Sequence, residues 1–109
     1  MANANKKLAG SAPSAATLTD AYTVPGATSA IVSTIAVCNR SATATTFRLA
    51  HSLAGAADAT SQYFFYDAPV LGNETITLTL GIAMATTDVL RVYATLATIT
   101  FTAWGVEVT

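Results

Sequence analysis

The sequence predicts an all-β protein, a single antiparallel β-sandwich of jelly-roll or immunoglobulin-like type with about seven or eight strands. Three observations carry that prediction. Threonine alternates strictly with leucine and isoleucine in NETITLTLG (73–81), the period-two pattern of a half-buried strand. Short Gly, Pro, Asn and Asp turns punctuate the chain at regular intervals. The abundant threonine is β-branched and polar, suited to the wet face of a pleated sheet and ill suited to helix interiors.

Taken in order, residues 8–12 and 17–23 are weaker strand candidates flanking Pro13-Ser14, and Val24-Pro25-Gly26 is a turn. SAIVSTIAVCN (29–39) is apolar enough to be buried on both faces, with Ile31, Ile35 and Val37 on one and Val32, Ala36 and Cys38 on the other. Asn39-Arg40-Ser41 then reads as a turn into 45–53, where Phe47, Leu49, His51 and Leu53 share a face, so that the two segments form a hairpin. Residues 62–70 form a strand that Pro69 ends or confines to a sheet edge. After the Thr/Leu strand, 81–87 is a loop with room for one helical turn, and 55–60 is another. Residues 88–95 and 98–108 form a closing hairpin. Its apolar parity changes after Ala103 to Trp104, Val106 and Val108, and with Gly105 nearby this predicts a β-bulge or a switch of face. The polar segment 1–11 is expected to be a flexible arm, and 12–109 the sandwich domain.

Composition narrows the function. Of 109 residues, 52% are hydrophobic but only 10% charged, against a usual charged share of about 25%. The neutral surface this implies suits a subunit covered by other copies or by a partner, because interface cores are depleted in charge. The mean hydropathy of +0.50 comes from Ala, Val, Ile and Leu dispersed among threonines. No apolar run approaches the ~18–20 residues of a spanning helix, so no membrane partner is expected. The five basic residues form no stripe, which argues against nucleic acid. The N-terminus lacks the apolar core of a secretory signal. Synthesis in a cytosol is expected, with any export as part of a larger particle.

No catalytic, cofactor or metal site is expected. His51 is the single histidine and Cys38 the single cysteine. His51 reads as a partly buried residue bonded to a backbone or hydroxyl group, and Cys38 as a small core hydrophobe. The six carboxylates are scattered without metal-ligand spacing. The aromatic run Tyr63-Phe64-Phe65-Tyr66 is the main interaction candidate, with Trp104 beside it. Strand alternation sends Tyr63 and Phe65 one way and Phe64 and Tyr66 the other, one pair to the core and one to a surface or subunit contact.

Tyr22-Thr-Val-Pro-Gly, the strand 29–40 ending Val-Cys-Asn-Arg, and Ala44-Thr-Thr-Phe-Arg-Leu-Ala50 together resemble a family of small tailed-phage virion proteins. Gln62-Tyr-Phe-Phe-Tyr-Asp67, Asp88-Val-Leu-Arg-Val-Tyr93 and the terminal Gly-Val-Glu-Val-Thr extend the resemblance from about Leu8 to the end. Val-Cys-Asn-Arg after a Val/Ile strand is uncommon, whereas the Thr-rich strands are not. The resemblance implies a non-enzymatic structural subunit of the virion, with other copies of itself and the major capsid protein or neighbouring virion proteins as partners. A capsid decoration (cement) protein is the leading expectation, since the chain shows neither fibre shaft nor receptor tip. The alternative is a neck or tail-fibre module that binds a host glycan through exposed Tyr22, Tyr66, Tyr93 or Trp104.

Overall fold

The computed structural model describes residues 3–109. Eight strands run in chain order: β1 (Asn3–Ser11), β2 (Thr19–Thr23), β3 (Ser29–Asn39), β4 (Thr45–Ser52), β5 (Tyr63–Val70), β6 (Thr75–Met84), β7 (Val89–Ala94) and β8 (Ile99–Val108). They form two antiparallel four-stranded sheets, ordered β1-β8-β3-β6 and β2-β7-β4-β5. This order is the eight-stranded jelly roll with its two Greek keys, which settles the choice against the immunoglobulin arrangement. Among the described residues, the only helical turns are Leu53–Gly55 and Thr60–Gln62, both in the link from β4 to β5.

Two expected hairpins are corrected. β3 and β4 lie in opposite sheets, as do β7 and β8, so each link is an arch over the sandwich end rather than a tight turn. Asn39 builds the first arch. Its buried amide donates to the carbonyls of Thr43 (2.8 Å) and Leu71 (3.2 Å), while its Oδ1 accepts from the Ser41 amide (3.1 Å). A two-residue hairpin would leave these strand ends facing each other in one sheet and the apolar faces of both strands without a second layer.

The expected flexible arm is corrected as well. Residues 3–11 form β1, paired with β8 from Asn3 opposite Val108 to Ser11 opposite Phe101; Met1 and Ala2 lie outside the described residues. Without β1, the apolar strand β8 would be a bare edge. The loop expected at 81–87 is shorter, because β6 continues through Gly81 to Met84.

Register shifts reset the faces. In β3, Val32 faces Gly105 and Thr34 faces Trp104, so Ser33 is an inserted residue. Parity flips there: Ala30 and Val32 join Ile35 and Val37 in the core, and Ile31 is 44% exposed on the outside. Cys38 is half-buried, paired with Thr75 and Thr100 across the outer face, and is not a core residue. In β1, Leu8 is inserted one step along β8, between the partners of Trp104 and Ala103. The bulge suggested by the parity of β8 therefore sits in both of its neighbours, while β8 itself runs straight. The interior is filled by Val24, Val32, Ile35, Val37, Phe47, Leu49, Val70, Met84, Leu90, Val92, Ile99 and Phe101.

Candidate interaction surfaces

The outer face of the second sheet holds an arginine between two tyrosines. Arg48 and Tyr93 are direct cross-strand partners on β4 and β7. The Arg48 guanidinium lies 4.3 Å from the Tyr93 ring centroid and 4.0 Å from that of Tyr66. Asp67 fixes it from the side, accepting from Nε at 2.7 Å. Tyr63 packs edge-on against Tyr66, with centroids 5.1 Å apart. Burial, and then its hydrogen bond to Asp58, raises the Tyr63 phenol above its ordinary value.

This arrangement overturns the expected alternation of the aromatic run. β5 shifts register twice, between Ala68 and Phe65 and between Phe65 and Tyr63 relative to β4. Asp67 takes a φ of 51° at the first shift. Tyr63 and Tyr66 consequently share the outer face. Phe65 turns inward against Phe47 (6.0 Å), and Phe64, 37% exposed, points to the gap between β5 and β6. Asp67 at a positive φ is the local signal that could have exposed the bulge, since aspartate tolerates that conformation better than most residues.

The rest of this face is closed by residues that strand patterning did not single out. Arg91 pairs with Asp20 (2.9 Å) and donates to the carbonyls of Ala56 (2.8 Å) and Gly55 (3.4 Å). It thereby folds the loop 53–62 back over the sheet, and Ala50 is fully buried although its parity is outward.

The outer face of the first sheet carries a shallow apolar hollow. Trp104, 42% exposed, stands beside Ile31 and Val106, with Asn5, Lys7 and Ser33 at its margin. Trp104 is one of the interaction candidates; Ile31, expected to share a buried face with Ile35 and Val37, reaches this surface because of the Ser33 bulge.

Two carboxylates lock one end of the sandwich. Glu107 faces inward from β8, accepts the Tyr22 hydroxyl from the opposite sheet, and pairs with Lys6 of β1 at 2.7 Å. Tyr22 is thus a core residue and no part of an exposed site. The Lys6 ammonium and then the Tyr22 hydroxyl hold the Glu107 carboxyl below the usual range, against the opposing effect of burial. Asp88 accepts the amides of Ala54 (3.0 Å) and Ala85 (3.1 Å) and meets His51 Nε2 at 3.0 Å. Burial pushes Asp88 up, but these amides and the His51 ring outweigh it and its pKa lies below the ordinary value. His51 is therefore tied to a carboxylate, not to the backbone or hydroxyl group expected. Among the described residues, no group of three or more His, Cys, Asp or Glu side chains could hold a metal ion, and no helix is long and apolar enough to cross a membrane.

An acid-stability prediction follows from the two locks. Both carboxyls titrate lower in the folded chain than in the unfolded one, so their contribution is complete above the unfolded values and fades as pH falls through the folded ones. The urea midpoint is expected to drop between about pH 5 and pH 3, and to drop less in Asp88→Asn and Glu107→Gln. A variant as acid-sensitive as the parent would show that the carboxylate is not the source.

Comparison with models of known families, with curated proteins and with solved structures returned no match.

Proposed function

We propose that the protein is a non-enzymatic virion structural subunit, a capsid decoration protein that assembles as a homo-oligomer on a phage head and stabilises the shell. The observation that carries this reading is the apolar hollow in which Trp104 and Ile31 stand exposed with half-buried Val106 beside them. Such a patch is stable in water only at a cost, and covering it contributes about 25 cal/mol per Å2 before association costs are subtracted. The low charge density and the resemblance to small virion proteins point the same way. The jelly roll is compatible with the proposal but serves lectins and cupins as well as capsid proteins, so it carries no weight alone.

The test uses shells lacking the protein. Trp104→Ala is expected to fold normally, because the side chain is on the surface, and to bind shells about 10- to 100-fold more weakly, as loss of an interfacial tryptophan does. Unchanged binding would remove the hollow from the contact. Hundreds of copies per particle support decoration, and about a dozen or fewer support a neck or tail position.

The Tyr66–Arg48–Tyr93 cluster favours a second reading, a glycan-binding neck or fibre module. Tyr66 is 57% exposed beside the Asp67 carboxylate, and a sugar ring needs an open aromatic face with polar groups at its rim. Specific glycan-array signals lost in Tyr66→Ala and kept in Trp104→Ala would support this reading over the first.

A further inference from the structure

We propose that the free edge of β6 pairs with β6 of a second copy, joining two first sheets into one continuous eight-stranded sheet across a two-fold axis. Among the described residues, β6 hydrogen-bonds to β3 alone and ends its sheet. Its other side presents unpaired backbone amides and carbonyls, a template for an added strand.

The contrast with the other three edges carries the inference. β1 is guarded by Lys6, Lys7 and the inserted Leu8. β2 is only five residues long, with Asp20 and a register shift. β5 has Pro69, Asp67 and two register shifts. These are the devices by which proteins keep sheet edges from pairing. β6 is ten residues, TITLTLGIAM, without a charge or a proline. Its one irregularity lies at Leu80-Gly81, between Thr79 and Ile82 in the register with β3. Thr75–Thr79 is left as a regular run.

That run is complementary to itself. In an antiparallel pair, residues directly opposite each other point to the same side. A two-fold axis through Thr77 sets Thr75 against Thr79 and Ile76 against Leu78 of the second copy. Threonine meets threonine on the outer face, a favourable cross-strand pair, and aliphatic meets aliphatic on the inner face. Beside this edge, Leu80 and Ile82 face Leu53 and Phe64 across an open groove that a second copy would cover. Leu53 is 67% exposed there.

The paired edge supplies part of the contact and the groove beside it the remainder. The molecule is 19 Å across its thinnest axis. With the axis at Thr77 the two strands overlap over Thr75–Thr79, about 17 Å, so the paired edge presents roughly 300 Å2 in projection, and the groove beside Leu80 and Ile82 must supply the rest of the ~800 Å2 per partner of a standard interface. A net charge of −1 offers little repulsion between copies.

This inference deepens the assembly part of the proposed function and does not require the virion. Its test uses the full chain in solution, by light scattering after size exclusion. The parent protein is expected to be a dimer, or a multiple of one, at micromolar concentration. Thr77 is exposed on the outer face, so Thr77→Lys and Thr77→Glu leave the core intact. Each sets like charges opposite each other on the axis and is expected to weaken association about tenfold or more. An equimolar mixture of the two is expected to reassociate. Hydrogen exchange supplies a measurement without substitution: β6 amides gain protection as parent concentration rises. A parent that stays monomeric to about 100 µM, or lysine and glutamate variants that associate as the parent does, would overturn the proposal. Dimers through β6 that ignore shells would uphold it and sink the decoration reading; monomers that bind shells would do the reverse.

Discussion

Replacing Phe47 by alanine is expected to lower the unfolding free energy by about 3–5 kcal/mol, the range for deleting a buried phenyl ring. Phe47 is 1% exposed and stands where the two sheets meet. It comes from β4 of the second sheet, and its ring packs edge-on against Phe101 of the first, with centroids 6.1 Å apart at 68°. Phe65 lies 6.0 Å away on its own sheet. Removing the ring leaves both partners facing a void that two β-sheets, each tied by its ladder, cannot close. For a domain near 100 residues each kcal/mol corresponds to about 4–8 °C, so melting should fall by more than about 12 °C. Phe47→Leu, which keeps most of the volume, should cost only about 1–2 kcal/mol. A shift of a few degrees in the alanine variant would mean that the layers are held elsewhere.

Gly105→Ala should be nearly as damaging, for the opposite reason. A Cβ at this position would lie 2.0 Å from the carbonyl oxygen of Ile31 and 3.0 Å from its carbon. Both atoms belong to the backbone of β3, the central neighbour of β8, so no side-chain rotation relieves the overlap. The ladder must open at the bulge that carries Ser33, and the expected cost is about 3 kcal/mol or more. The same movement would spoil the hollow around Trp104, so shell binding should fall with stability. Gly81→Ala is the matched control: nothing lies within 4 Å of its added Cβ, and the change should be neutral or slightly stabilising. Chemical denaturation of the pair separates the two outcomes. Equal stability would show that β3 and β8 are farther apart at Gly105 than the structure places them.

The interaction surfaces were only partly legible in the residues. Trp104 follows outward parity in β8, and its exposure could be anticipated from the change of pattern after Ala103. The Arg48 cluster could not. Arg48 and Tyr93 meet because β4 and β7 are neighbours, though they are 45 positions apart in the chain, and Tyr63 joins Tyr66 only because β5 bulges. The alternation rule places a side chain correctly until the first inserted residue and inverts it afterwards. Ile31 and the tyrosines of β5 are misplaced by that effect, whereas Cys38 keeps its alternation and lies outside because β3 is buried on one face and not on both.

The sequence by itself determined the class of fold and nearly all of its strands. Threonine alternating with Leu and Ile, and Gly, Pro, Asn and Asp between the runs, are local signals that act within a few residues. Low charge, too, is a property of the chain alone. Only the tertiary structure decided which strands share a sheet, where β1 closes against β8, and which faces look outward. Those outcomes depend on hydrogen bonds between distant segments and on single-residue insertions in the ladders, for which the chain carries no periodic mark. The unguarded edge of β6 belongs to both: its uncharged run is plain in the residues, and its place at the end of a sheet is set by the jelly roll.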